Sequence, residues 1–165
     1  MSKISPSEDV TINKESLAQT IAALEFFSAL PFTQIDLIAS AAKLIDVAHG
    51  DMVFNDYDRT HDFYLLLEGQ IKLGVMSLQG AEKVVCLVEP GQSFGEEKLF
   101  TQHSAHTLYA QAISDSQVLL IPKETIFAIL DSNIMFARRM LTVLAERNCQ
   151  LVKDIKSVVS GDLIE

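Results

Sequence analysis

Glycines divide the middle of the chain into short segments. Six of the seven glycines lie between residues 49 and 122, and the segments between them are rich in β-branched and aromatic residues. Such runs, separated by turn residues about every ten positions, are typical of antiparallel sandwiches and barrels. The predicted strands are 52–54, 63–67, 70–76, 83–88, 107–112 and 117–121. The middle of the chain is therefore expected to form a β-barrel.

Two short helices are predicted before the barrel. Apolar residues recur at three- and four-residue spacing from Leu17 to Leu24, which is the period of an amphipathic helix. After Pro31, residues 33–36 resemble a capping box that opens a second helix running through Ile45. The barrel is thus expected to begin after this second helix.

The residues after Pro122 are predicted to be helical almost to the end of the chain. Pro122 suits the first turn of a helix. Ser132 or Asn133 is placed to cap a last helix of about 28 residues that ends near Gly161. The chain therefore closes with one helix much longer than the others.

An apolar stripe follows this long helix at alternating spacings of four and three, the a/d pattern of a coiled coil over about three heptads. Asn148 falls at an a position, where a single polar residue commonly fixes the register of a two-stranded coil. A helix packed on its own barrel is the alternative, and we favour a homodimer. The predicted dimer interface comprises Ala137, Leu141, Leu144, Asn148, Leu151, Ile155 and Val158.

Charge and composition exclude several functional classes. The net charge is −9, from 13 Lys and Arg against 22 Asp and Glu. Nucleic-acid-binding surfaces are basic, so the chain is not expected to bind DNA by itself. Its apolar runs are far shorter than the roughly 20 residues of a spanning helix, so no membrane contact is expected. Cys86 and Cys149 are far apart, and no signal-like leader is recognised, which favours the cytoplasm.

Three segments resemble the sensor domain of Crp/Fnr-type bacterial transcription regulators. Residues 49–54 resemble the first hairpin of that domain. Residues 63–71 resemble one of its strands, in which a Tyr is followed by apolar residues and then by a Gly. Residues 91–96 resemble the start of its phosphate-binding cassette. Residues 104–112 complete that cassette in the resemblance. The implied fold is α+β: a β-roll (double-stranded β-helix) of the cyclic-nucleotide-binding type, with short N-terminal helices and a long C-terminal dimerisation helix.

The resemblance also implies a domain organisation and a function. The expected boundaries are an N-terminal tail (1–15), a sensor barrel with flanking helices (16–131), a dimerisation helix (132–160) and the start of a hinge (161–165). In the family a helix-turn-helix domain follows. The expected protein is a cytoplasmic, non-enzymatic module that senses a small effector, dimerises, and reaches DNA only through a domain that this chain lacks.

A cyclic nucleotide is the first candidate effector that the resemblance implies. Gly95 allows a phosphate to approach backbone N–H groups at a helix N-terminus, and Glu96 matches the carboxylate that accepts from the ribose hydroxyl. The position of the family's phosphate-binding Arg is occupied by His106, followed by Thr107. Losing the bidentate contact of Arg weakens binding roughly ten- to hundredfold. Protonated His106 partly compensates below about pH 6.5.

The long helix also departs from the family's cyclic-AMP members. Those proteins hold the base with two adjacent hydroxyl residues, and the same positions here carry Leu151 and Val152, which neither donate nor accept hydrogen bonds. The residues expected to bind the effector are Phe94, Gly95, Glu96, Glu97, His106, Thr107, Asn148, Leu151 and Val152. Cyclic nucleotide binding is therefore one candidate among others.

Haem is the second candidate effector, as in family members that sense NO or CO. Axial haem ligation often uses His, and the candidate ligands are His49, His61, His103 and His106. No other metal site is predicted, since His103-x-x-His106 has no third ligand at motif spacing. The identity of the cofactor or effector stays open.

Two other functions are weaker alternatives. One is a stand-alone domain that only dimerises. The other is a cupin-type metalloenzyme, which needs a His-x-His pair that is absent here. The sequence also contains no Gly-x-Ser-x-Gly, Walker or His-Glu-x-x-His motif. Binding is therefore favoured over catalysis.

Overall fold

A computed structural model describes residues 14–55, 62–101 and 108–161. The helices are α1 (Lys14–Ala23), α2 (Phe32–Ala41), α3 (Glu97–Phe100), α4 (Lys123–Ser132) and α5 (Ile134–Gly161), and a 3-10 turn spans Glu25–Phe27. The strands are β1 (Lys43–Val47), β2 (Met52–Phe54), β3 (Asp62–Glu68), β4 (Ile71–Met76), β5 (Glu82–Val88), β6 (Ser93–Phe94), β7 (Tyr109–Ala112) and β8 (Ser116–Pro122). Most of the predicted tail (1–13) and hinge (162–165) lies outside the described residues.

The strands form two four-stranded antiparallel sheets, ordered β1-β8-β3-β6 and β2-β7-β4-β5. In the first sheet Phe63 lies opposite Ile121, and Leu65 lies opposite Leu119. In the second, β4 pairs with β5 on one side and β7 on the other. This arrangement is the β-roll that the sequence predicted.

Strand β3 separates two hydrophobic cores. Because successive side chains of a strand point to opposite faces, Phe63 and Leu65 pack among the helices, while Tyr64 and Leu66 pack inside the roll. All four are buried. A strand buried on both faces reads as a continuous apolar run rather than an alternating one. The cores on either side therefore explain the sequence of β3.

The predicted second helix is too long and is not capped as expected. Helix α2 begins directly after Pro31, and no side chain caps it, so the capping box at 33–36 is not formed. The helix ends at Ala41, and the next residues form β1, which pairs with β8 over its whole length. The apolar residues up to Ile45 fit a helix and a strand equally well. Pairing with β8 decides in favour of the strand.

Helix α5 has the predicted length of 28 residues. Asn133 caps it, because the Phe136 N–H donates to Asn133 Oδ1 at 3.0 Å. The Asn133 amide also donates to Gln34 Oε1 at 2.9 Å, which joins the cap to α2. Phe136 and Met140 are buried in the core, whereas the last turns are exposed. Across the described part of the chain, no helix is both long and apolar enough to span a membrane.

A polar cluster lies on the second sheet around Tyr109. Its hydroxyl donates to Glu82 Oε1, and Lys72 Nζ lies 2.7 Å from the same carboxylate oxygen. Burial, together with the bond to Glu82, raises the pKa of Tyr109 to about 12. A Cβ on Gly74 would overlap the Tyr109 hydroxyl, so this position of β4 requires glycine. The cluster fixes β4 between its two neighbours.

Candidate functional site

A cavity of about 270 Å³ lies between the β-roll, α3 and α5, and we call it the α3–α5 cavity. Its wall is mainly apolar, with a few charged and polar groups, which is the usual composition of a small-molecule site. The lining residues are Leu73, Glu96, Glu97, Phe100, Leu108, Leu144, Arg147, Asn148 and Leu151.

The turn from β6 into α3 places Glu96 on this cavity. Gly95 has a φ of +78°, in the left-handed region that favours glycine. A Cβ there would lie 3.0 Å from the Tyr64 ring and 3.1 Å from the Phe54 ring. Phe94 stacks on the same two rings inside the roll. Close aromatic packing therefore holds the turn and fixes the direction of Glu96.

Glu96 is 2% exposed and is held by Arg147 of α5. Arg147 Nη1 donates to Glu96 Oε2 at 2.7 Å, and Nη2 donates to the carbonyl oxygen of Ser93. A buried carboxylate requires such a partner, because an unpaired charge is costly away from water. The guanidinium of Arg147 thus links α5 to Glu96 and Ser93 beside the cavity.

Two polar atoms beside this ion pair are buried without a hydrogen-bond partner among the described residues. They are Glu96 Oε1 and the hydroxyl oxygen of Ser93. Leaving a buried polar atom unpaired costs about 1–3 kcal/mol. Glu96 as a residue also lines the cavity, where it is one of the few polar groups. Glu96 is therefore a candidate contact for an effector.

Four of the residues predicted to bind an effector line the α3–α5 cavity. They are Glu96, Glu97, Asn148 and Leu151. Phe94 and Gly95 lie in the strand and turn that position Glu96. Val152 does not line the cavity and is exposed on α5. His106 and Thr107 lie outside the described residues.

Among the haem-ligand candidates, only His49 lies in the described part of the chain; His61, His103 and His106 fall outside it. His49 is exposed in the turn between β1 and β2, where its backbone N–H donates to Asp115 Oδ1 at 2.9 Å. The described wall of the α3–α5 cavity contains no His, Cys or Met. These lining residues therefore offer no axial ligand for haem.

Arg147 is the charged site residue that sequence reasoning missed, and the apolar lining residues Leu73, Phe100 and Leu108 were missed as well. In the sequence Arg147 is one of several charged residues on a long amphipathic helix, and most such residues face solvent. The available signal was its position four residues before Leu151, which places both side chains on one face. The structure shows that this face lies toward the roll.

The outer face of α5 carries exposed apolar residues. Leu141 is 66% exposed and Ile155 63% exposed, whereas Leu144 and Leu151 are half-buried and line the cavity. Of the other predicted interface residues, Ala137 is half-buried and Val158 exposed. The exposed stripe, at alternating spacings of four and three, consists of Leu141, Ala145, Asn148, Val152, Ile155 and Val159.

Comparison with known proteins identifies relatives of this architecture. The model of the cyclic nucleotide-binding domain family matches residues 44–133. The cyclic AMP receptor protein of Thermus thermophilus is 26% identical over 121 residues, which are 73% of this chain and 56% of that protein. A CRP-like cAMP-activated global transcriptional regulator of Mycobacterium tuberculosis is 20% identical over 145 residues, 88% of this chain and 64% of that protein. The chain thus spans less than two thirds of either relative.

A solved structure confirms the fold. The sensor domain of the transcriptional regulator DNR from Pseudomonas aeruginosa superimposes with a TM-score of 0.72 at 23% sequence identity. The match covers 85% of this chain and 93% of that domain. The two-sheet roll and its helices are therefore shared.

Proposed function

The chain belongs to the cyclic nucleotide-binding domain family, of the Crp/Fnr type, and we propose that it senses a small effector and dimerises as the regulatory module of a transcription regulator. One observation carries this proposal: Arg147 of α5 binds Glu96 in the wall of the α3–α5 cavity, while the outer face of α5 exposes an apolar stripe. The same helix thus contacts the cavity and offers a surface to a partner. The names of the relatives describe a receptor and a regulator, and we propose no catalytic activity.

An effector in the cavity acts on the helix directly. Leu144 and Leu151 line the cavity, and their neighbours Ala145 and Val152 lie on the exposed stripe. A ligand that binds one position of α5 better than another shifts the population toward that position. Such coupling is typically worth about 1–3 kcal/mol. The output of the sensor is therefore a change in the angle at which the two paired α5 helices cross.

We place the dimer interface on the exposed stripe, which is rotated away from the interface predicted from the sequence. Both patterns contain Leu141, Asn148 and Ile155. They differ because Leu144 and Leu151 are half-buried against the cavity, whereas Ala145 and Val152 are exposed and take the inner positions of the coiled coil. Asn148 also lines the cavity but is exposed, so it belongs to both patterns. The mainly apolar cavity with a few polar residues in its wall supports effector binding over a domain that only dimerises.

The test of dimerisation is a charge placed on the stripe. We expect Ile155→Glu to weaken the dimer at least about tenfold, because pairing then buries two unpaired carboxylates. Ser157→Glu is the matched control, since Ser157 is also exposed but lies on the opposite side of the helix. Sedimentation equilibrium measures both dissociation constants. A monomeric wild type, or equal effects of the two substitutions, would contradict the proposed interface.

A further inference from the structure

We propose that the edge of strand β5 binds an extended peptide as an additional strand, in a groove between β5 and α5. The groove has a volume of about 540 Å³, and its wall comes from β5, the turn after it, the 3-10 turn and α5. We call it the β5–α5 groove. It adjoins the α3–α5 cavity at Arg147, but the inference does not rest on the proposed function. Three features carry it: the position of the groove at a strand edge, the lack of protection of that edge, and the charges on the opposite wall.

The β5–α5 groove lies at the edge of β5 rather than on one of its faces. Among the described strands, β5 is the last of the second sheet and pairs with β4 alone. The consecutive residues Cys86 and Leu87 both line the groove. Because consecutive side chains of a strand point to opposite faces, a groove lined by both runs along the strand edge. The backbone N–H and C=O groups of such an edge can pair with an added strand.

Only the first half of β5 carries the features that normally protect an edge strand from pairing with another chain. These features are charged side chains and β-bulges. Glu82 and Lys83 are exposed there, and the register with β4 shifts at Val85. The second half, residues 86–88, is apolar and pairs with β4 without interruption. The part of β5 that faces the groove is therefore the part that is open to an added strand.

The opposite wall of the groove, formed by α5, determines which side chains the peptide carries. Arg139 and Glu146 both line the groove, and Val143 lies between them. They are about 10.5 Å apart along the helix, which is within the length of about 17 Å of a five-residue strand. A complementary peptide thus has one acidic and one basic side chain. At alternate positions of the peptide, both side chains face the same way, toward α5.

The guanidinium of Arg139 is available to a carboxylate of the peptide. Its Nη2 lies 3.4 Å from Glu25 Oε1, whereas a strong charge-assisted hydrogen bond measures about 2.7–2.9 Å. The Glu25 side chain is 86% exposed. Exposed ion pairs of this kind contribute little to stability. A peptide carboxylate can therefore replace Glu25 as the partner of Arg139.

The test uses the acetylated and amidated pentapeptide Val-Glu-Val-Lys-Val and two N-methylated isomers of it. One isomer has methyl groups on the backbone nitrogens of Glu and Lys, and the other has them on those of the second and third Val. Successive N–H groups of a strand point to opposite edges, so only one isomer can still pair with β5. In titration calorimetry with the full-length chain, we expect that isomer to bind within about twofold of the parent peptide. We expect the other to bind at least about tenfold more weakly, because its hydrogen bonds to β5 are lost.

The substitution Arg139→Gln tests the charge on the groove wall. We expect it to weaken binding of the parent peptide about three- to fivefold, since the contact with the peptide carboxylate is partly exposed. A peptide with Gln in place of Glu is expected to bind the wild type and Arg139→Gln equally, which isolates this one contact. Arg138→Gln is the matched control, because Arg138 is exposed on another face of α5. It is expected to leave binding unchanged.

Unequal binding of the two isomers, together with weaker binding of the parent peptide by Arg139→Gln, supports strand addition in the groove. Failure of the parent peptide to bind overturns it. Equal binding of the two isomers also overturns it, because only pairing along one edge distinguishes alternate nitrogens. Equal binding of the parent peptide by Arg139→Gln and the wild type does so as well, since the peptide then lies elsewhere. None of these results affects the proposed function, which the dimer measurement on Ile155→Glu tests separately.

Discussion

At the scale of single residues, Arg147 connects the two activities that we propose. Its guanidinium closes the cavity wall by binding Glu96 and the Ser93 carbonyl, and its backbone belongs to the helix that carries the apolar stripe. Lys in its place would supply a charge but not two N–H groups in a fixed planar geometry. The identity of this residue therefore matters more than its charge alone.

Removing Arg147 is expected to destabilise the fold. In Arg147→Ala the Glu96 carboxylate stays buried without its cation, and we expect the free energy of unfolding to fall by about 2–3 kcal/mol. Arg138→Ala, on an exposed face of the same helix, is the control and is expected to change it by less than about 0.5 kcal/mol. Urea denaturation measures both. Equal effects would show that the ion pair contributes nothing specific.

At the scale of secondary structure, Asn133 determines where α5 begins. Its side-chain oxygen accepts from the Phe136 N–H, and its amide group donates to Gln34 of α2. We expect Asn133→Ala to lower the free energy of unfolding by about 1 kcal/mol or slightly more, because both bonds are lost. Asn133→Asp keeps the capping oxygen and loses only the bond to Gln34. Thermal and urea unfolding of the two variants separates the contributions, and an Asp variant as unstable as the Ala variant would contradict the capping role.

The elements also show what the sequence can and cannot predict. The long helix and the central strands are predictable, since their apolar periods extend over many residues. Strand β1 is not, because Leu44 and Ile45 continue the apolar pattern of α2 and only pairing with β8 distinguishes the two states. In such short segments tertiary contacts override the local preference for helix or strand.

The candidate site is likewise only partly predictable from the sequence. Glu96 and Leu151 are found from their positions relative to the cassette and along the helix, and both line the cavity. The heptad pattern does not distinguish Leu144 from Ala145 as an interface residue, since two apolar stripes run side by side on α5. The choice depends on how far the helix is rotated against the roll. That rotation is a property of the packed molecule and not of the helix sequence.

At the scale of the whole molecule, charge opposes the assembly that the apolar stripe promotes. Each chain carries a net charge of −9, so two chains repel each other as they pair. Salt reduces this repulsion, because the screening length falls from about 30 Å at 0.01 M to about 8 Å at 0.15 M ionic strength. The hydrophobic contribution of the stripe changes little over this range. Added salt is therefore expected to favour the dimer.

We expect the dimer dissociation constant of the wild-type chain to fall several-fold, on the order of 1 kcal/mol, between these two ionic strengths. Sedimentation equilibrium in sodium chloride measures the change, and potassium acetate at the same ionic strength is the control, since screening does not depend on the identity of the ions. An interface held mainly by ion pairs responds in the opposite direction, because salt weakens attraction between charges as well. A dissociation constant that rises with salt would thus contradict an apolar interface on α5, and with it the view that acidic surface charge limits how tightly two copies of this chain pair.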